Sequence, residues 1–359
     1  VVVGLADLEP VLVTLLRLYC SSLTELGIAE LDYTQVQTWQ SRVSGGVNCF
    51  SSFRSATGDE QQGSAFLVLS SKALQTNFEA LTELMVRTLN EVRFNEGRRI
   101  RELTEQLCDR KLSSITGQGH SLAMALASSR MSPAANLNHR FGGLAGIQSL
   151  KRQRDAVRVE SGLAALLDRL SRLHQAVLSA PRQFLLIAEE EHQDAMVDCL
   201  GRHWDGERPP VTFTPLQLPS VRKQVREAWT TATQVNFCAK AYPTVPSIHP
   251  DHAPLTVLAG FLRNGFLHRE IREKGGAYGG GADQDANSAS FRFYSYRDPR
   301  LAQTLQDFDR AIDWVISQSH PDRLLEEAIL GVIASMDKPS SPAGEAKRAF
   351  YNTLFGRDL

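Results

Sequence analysis

His268-Arg269-Glu270-Ile271-Arg272-Glu273-Lys274-Gly275-Gly276-Ala277-Tyr278-Gly279-Gly280-Gly281-Ala282 is the most informative stretch of this 359-residue chain. Five glycines in the seven positions 275–281 surround one tyrosine. A helix cannot persist through them, because each glycine costs about 1 kcal/mol there. A phosphate-cradling loop is the first reading to test. Gly276 and Gly281 have the outer spacing of a P-loop, but Ala282-Asp283 stand where Lys-Ser/Thr is required. GxGxxG fails as well, since Gln284 occupies the last glycine position, and Asp283 repels an anion.

Two readings then stand open on the residues alone. In one, the segment is a strand stripped of side chains so that an extended peptide adds to its edge through main-chain hydrogen bonds. Arg272 and Tyr278 then bring two hydrogen-bond donors to one spot, where they can stabilise charge on a carbonyl oxygen. In the other, the glycines are a helix C-cap and the tyrosine is a core or rim residue.

Working outward, a helix is expected from about Asp251 to Lys274, after a strand in which Val235, Phe237, Ala239 and Ala241 share one side. Downstream, Phe291 and Phe293 alternate with Arg292 and Tyr294 as a second strand, and two final helices are expected to begin near Pro299 and Pro321.

This order of elements occurs earlier too. Leu8, Val11, Leu12, Leu15, Leu16 and Tyr19 recur at helical spacing, and Asp32 with Gln35 opens a second helix that closes before Gly45-Gly46. A hairpin over Val47–Ser55 and Ser64–Ser70 follows, then a capping box of Thr76 and Glu79 ahead of an amphipathic helix through Leu84. Ser64-Ala65-Phe66-Leu67-Val68-Leu69-Ser70-Ser71-Lys72 lies over Ala289-Ser290-Phe291-Arg292-Phe293-Tyr294-Ser295-Tyr296-Arg297 with Phe66/Phe291, Ser70/Ser295 and Lys72/Arg297 in step. The expectation is an α+β chain of two homologous domains, each an antiparallel-rich sheet packed with helices. Between them, 98–177 reads as three or four helices whose arginines form solvated faces, Gln183–Ala188 as a short strand, and Glu191 to about Arg202 as a helix. The Pro-containing stretch from Asp205 to about Arg226 marks the boundary.

Composition narrows the function classes. Lys+Arg at 39 against Asp+Glu at 40 argues against a broad nucleic-acid or anionic-membrane surface. Five scattered cysteines without CxxC pairing fit a reducing compartment, cytoplasm or an organelle matrix. The longest apolar run, Val11–Leu18, is broken by Thr14 and Arg17, too short for a membrane span. The Met-less Val1-Val2-Val3 start carries no signal peptide and suggests a piece of a longer protein. No HExxH, HxxEH or GxSxG is present. His249 and His252 straddle Pro250 without a third ligand nearby, and Glu189-Glu190-Glu191-His192 reads as a helix start.

The run from Glu270 to Ala282, followed by Phe293-Tyr294-Ser295-Tyr296-Arg297-Asp298-Pro299, closely resembles the C-terminal half of the presequence protease group of pitrilysin-type (M16) zinc metallopeptidases. Thr24-Glu25-Leu26-Gly27, Gly45-Gly46 and the helix through Leu84 resemble that group's third domain, and residues from about 226 its fourth. The resemblance implies residues 1–205 as an N-terminally incomplete third domain lacking its opening strands, 206–225 as linker, and 226–359 as a C-terminally incomplete fourth domain. It implies Arg272 and Tyr278 as the pair that holds substrate and assists the oxyanion, with Gly275, Gly276, Ala277, Gly279, Gly280 and Gly281 binding peptide. Laid over the first copy, Arg42 falls on Arg272 but Asn48 on Tyr278, so only the second copy carries the pair. The zinc ligands belong to an N-terminal half of the same polypeptide and have no counterpart here. The implied function is the substrate-binding half of an ATP-independent zinc metalloendopeptidase acting on unfolded peptides, with no nucleic-acid or membrane partner. The alternative is a catalytically inactive scaffold subunit of the same family, a type that usually lacks these features.

Overall fold

The computed structural model describes residues 1–5, 8–204 and 213–357. Among these, the strands form two antiparallel sheets. The first has the order β2-β3-β1-β4, from Val47–Ser55, Gly63–Ser71, Val2–Gly4 and Arg182–Gln183. The second has the order β5-β7-β6, from Ala239–Pro243, Ser290–Tyr296 and Gly279–Asp285. In both, the hairpin behind a Gly-Gly pair supplies one edge strand and its neighbour, and an earlier strand pairs with the other side of that neighbour; in the first sheet β4 then forms the far edge. The repeat legible in the letters is thus a repeat of topology.

The β-branched start Val2-Val3 sits inside the first sheet, with Val2 opposite Val68 and Gln183. The helices before the hairpin are α1 (Pro10–Val13), α2 (Leu16–Leu23) and α3 (Tyr33–Val43). The Asp32 carboxylate caps α3 and Gln35 reaches back to the Asp32 amide, as expected. The second capping box does not form. The chain passes through a short 3-10 turn at Gln75–Asn77, and α4 (Phe78–Asn90) starts behind Asn77 with no side-chain cap.

Five helices fill 97–179 where three or four were expected: α5 (Gly97–Ser113), α6 (Ile115–Ala127), α7 (Pro133–Gly142), α8 (Leu144–Ala156) and α9 (Glu160–Ser179). Arg98 is a solvated residue at 93% side-chain exposure, but Arg99, at 12%, pairs with Glu25 and lies 4.2 Å over the Tyr33 ring. The strand expected at 183–188 shrinks to β4, and α10 (Gln193–His203) follows. The linker region up to residue 212 lies outside the described residues. Its described part runs without helix or strand along the first unit, where Leu216 is buried and its amide donates to the Gly63 carbonyl at 3.0 Å.

In the second unit, α11 (His252–Leu262) continues into a wider i to i+5 helical segment, Arg263–Glu273. Three helices end the chain where two were expected: α12 (Ala302–Ser317), α13 (Asp322–Met336) and α14 (Pro342–Leu354), the last capped by the Ser341 hydroxyl. Pro299 stands before α12 but outside it, whereas Pro321 occupies the N-cap of α13.

Each sheet has its own core. Leu67, Leu69, Leu16, Leu84 and Leu170 belong to the first, and Phe293, Ile271, Phe308 and Leu267 to the second. The outer face of each sheet is covered from the other unit. Phe350, Tyr351 and Phe355, in and just beyond α14, pack on Val2, Phe66 and Val68, which explains why β3 is buried on both faces. Reciprocally, α6 lies on β5 and β7, where any side chain on Gly119 would collide with the Phe237 ring.

Candidate functional site

The helix that carries Arg272 ends in an αL C-cap. The Gly276 amide donates to the Arg272 carbonyl at 3.0 Å, and the Ala277 amide to the Ile271 carbonyl at 3.1 Å. Gly276 has φ +77°, the left-handed conformation this motif requires, and Ala277 packs beside Ile271 in the second core. Gly275 is excluded from bearing a side chain by Arg300 and the Ile271 carbonyl. The C-cap reading therefore accounts for Gly275, Gly276 and Ala277.

It does not account for Gly279, Gly280 and Gly281. These open β6, which pairs with β7 on one side and forms the sheet edge on the other. A Cβ on Gly280 would lie 2.8 Å from Ile271 Cγ2, so the fold requires that glycine. Gly281 is tight, with Arg263 and the Tyr294 hydroxyl within about 3.2 Å of the same point. Gly279 faces nothing within 4 Å and its φ is not left-handed. The fold gives no reason for its missing side chain, and the open edge does: a second backbone can approach there.

Tyr278 immediately precedes this edge strand, and Arg272 lies in the helical segment that ends just before it. Tyr278 is 67% exposed, so it is no core residue, and its ring stands at 88° to Tyr296 with centroids 5.6 Å apart. Its amide donates to the Tyr296 carbonyl at 3.1 Å, which holds the backbone while its hydroxyl makes no bond among the described residues. Three cations of the same unit are engaged in ion pairs. Arg269 and Lys274 reach Glu270 at 3.0 and 2.9 Å, and Arg292 pairs with Asp283 and Asp285. Burial pushes the Glu270 carboxyl up, but hydrogen bonds from Lys274 and Arg269 outweigh it and the net shift is downward. Arg272 is exposed, and its guanidinium has no ion pair or hydrogen bond among the described residues. Arg272 and Tyr278, both exposed and with side chains hydrogen-bonded to no other group among the described residues, thus lie on either side of the turn that leads into the edge strand.

The sequence reading missed three features here. Arg263 reaches Gly281 from the helical segment, and Tyr294 and Tyr296 project from β7 onto the outer face, against His120 of α6. The alternation along β7 was a usable signal for the tyrosines. His120 lies too far away in the chain for any local pattern to place it.

Two groups of side chains bring metal-ligand atoms together among the described residues: Glu79, Cys199 and His203 on α4 and α10, and Glu189, Glu191 and His192 at the turn before α10. Both lie in the first unit, and neither includes a residue of the edge site, whose side chains are donors and aromatic rings. The site does not fit a metal. His249 and His252 belong to neither group, and His252 opens α11.

Comparison with known proteins agrees along the chain. A family model for the region associated with M16 peptidases of subfamily C matches residues 1–152, and one described as "PreP C-terminal domain" matches residues 226–358. The mitochondrial presequence protease of Yarrowia lipolytica is 29% identical over 343 residues, covering 94% of this chain and 34% of that protein. Those of Danio rerio and Mus musculus are also 29% identical, covering 94% and 97% of this chain and 35% and 36% of theirs. The chain thus spans about a third of the length of these relatives. Among solved structures, a conserved protein from Enterococcus faecalis V583 superposes with TM-score 0.60 at 13% identity, over 98% of this chain and 83% of that one. A protease from Helicobacter pylori gives 0.55 at 12%, over 100% and 83%. At such identity these structures speak for the fold alone.

Proposed function

This chain belongs to the M16 peptidases of the presequence-protease kind, and on that premise we propose that it is the substrate-binding, non-zinc half of an ATP-independent metalloendopeptidase that degrades unfolded peptides. The observation that carries the reading is the sheet-edge strand opening at Gly279–Gly281, preceded by the exposed Tyr278 and by a helical segment whose exposed Arg272 has no ion pair among the described residues. An extended peptide adds to β6 by main-chain hydrogen bonds, which suits substrates of varied sequence. Arg272 and Tyr278 donate to the scissile carbonyl oxygen and gain strength as negative charge develops on it. Gly275, Gly276 and Ala277 contribute by shaping the helix end that sets these two side chains at their spacing.

The catalytic zinc belongs, on this reading, to an N-terminal half of the same polypeptide, where it activates water and polarises the carbonyl. Residues 1–205 and 226–359 act as third and fourth domains around the linker 206–225. Unfolded peptide and the N-terminal half are the partners, with no nucleic-acid or membrane partner. Among the described residues no helix is long and apolar enough to cross a membrane. The compartment is an organelle matrix or the cytoplasm. A scaffold subunit would have no use for a free Arg272 and Tyr278 beside an open Gly279.

The test recombines this chain with the metal-bearing half and follows cleavage of a quenched unfolded peptide. Arg272→Ala and Tyr278→Phe each lose about 10²–10³ in turnover, the effect of removing one oxyanion donor. Unchanged turnover and affinity in both variants contradict the assignment.

A further inference from the structure

His120 enters the second unit from the first. It lies on α6 one residue after Gly119, whose missing side chain lets the helix press against Phe237. The backbone bends just before it, at Gln118 (φ −118°, ψ 15°). The imidazole centroid is 4.8 Å from that of Tyr296, edge-on at 66°, and 5.7 Å from that of Tyr294. Phe237 adds a further contact to Tyr296 at 5.8 Å. Tyr296 in turn is the ring against which Tyr278 stands. Three rings therefore run in series from α6 to the edge of β6, each at a separation where edge-to-face packing is favourable.

His120 makes no polar use of its inner nitrogen: Nδ1 is buried without a partner. A buried unsatisfied nitrogen is a cost, so its position calls for a compensating role. Burial also holds the imidazole pKa below its usual value, which keeps the ring neutral and suited to packing as an aromatic. Tyr278 itself is exposed, and beyond its backbone bonds Tyr296 is the ring that restrains it.

We infer that His120 is a positioning residue for the edge site: by bracing Tyr296 it fixes the direction of the Tyr278 hydroxyl, so the first unit supplies part of the geometry of the second. This rests on the role proposed above for Tyr278. A misdirected donor loses its value chiefly in the transition state, so the effect falls on kcat with KM little changed.

The experiment is a double-mutant cycle on the recombined protease, with fluorotyrosine at position 278 as a readout independent of activity. His120→Ala lowers kcat roughly ten- to a hundredfold, as misplacement of a reacting group does. His120→Phe restores most of it, and adding His120→Ala to Tyr278→Phe produces no further loss. The 19F resonance of residue 278 in this chain alone moves in His120→Ala and returns in His120→Phe. Multiplicative losses in the double variant, or a resonance indifferent to residue 120, overturn the inference. If Tyr278→Phe keeps full turnover, the role of Tyr278 fails instead, while the resonance still reports whether His120 orders its ring.

Discussion

Arg300 donates through Nη2 to the carbonyl oxygen of Glu270 at 3.1 Å, tying the approach to α12 to the last turns of the helix that presents Arg272. The same guanidinium pairs with Asp307 at 3.0 Å and lies 3.9 Å from Asp298. Both acids are buried, at 2% and 0% exposure. Arg300→Ala is expected to cost about 3 kcal/mol, because breaking a buried pair from one side strands its partner. Asp307 keeps Arg310 and Asp298 keeps the Thr304 hydroxyl, which limits the loss. Urea unfolding measures it. Arg300→Lys does not restore stability, since an ammonium cannot reproduce the planar fork that meets the Glu270 carbonyl and the Asp307 carboxylate.

Gly279 and Gly280 are neighbours with opposite expectations. Gly280→Ala forces a methyl against Ile271 and destabilises by about 1–3 kcal/mol, the usual cost of overpacking. Gly279→Ala meets open space and changes stability by no more than about 0.5 kcal/mol. Its methyl obstructs an incoming backbone, so binding of a labelled unfolded peptide weakens although the melting temperature does not move. Equal peptide binding in wild type and Gly279→Ala rejects the open-edge argument.

A pH dependence follows from the first core. His174 is buried, its Nδ1 and the Tyr19 hydroxyl share a hydrogen bond at 2.9 Å, and burial lowers its pKa from 6.5 to about 4. Between these values the unfolded chain binds the proton and the folded chain does not. The stabilising contribution is therefore complete above about pH 6.5 and is lost as pH falls toward 4, up to about 3 kcal/mol in all. His120, His139 and His252 are lowered by burial too and act in the same direction. Denaturation midpoints between pH 7.5 and 4.5 show the fall, and His174→Gln makes it shallower. A slope that His174→Gln leaves unchanged assigns the effect elsewhere.

The sequence was most legible where structure is local. Asp32 and Gln35 form their capping box because both partners lie within one turn, and Phe291 and Phe293 are buried as their alternation requires. Thr76 and Glu79 have the same spacing, yet the preceding 3-10 turn moves the helix start to Phe78. The glycine-rich run supported two readings because its residues divide between two elements: Gly276 serves a helix end, and Gly279 opens a strand at the sheet edge. Residues 183–188 look like a strand by apolarity, but only Arg182 and Gln183 find a partner in β1. The contacts between units were illegible. Neither Gly119 against Phe237 nor α14 against Phe66 leaves a mark within a helix-length window.

The central claim is that the free side of β6 receives an extended peptide. Amide hydrogen exchange across residues 279–285, with and without saturating unfolded peptide, tests it most directly. The account predicts that the β6 amides not already bonded to β7 slow on binding, while β2, the equivalent edge of the first sheet, is unchanged. Peptide binding that leaves 279–285 as fast as in the free chain, or protects β2 instead, contradicts it.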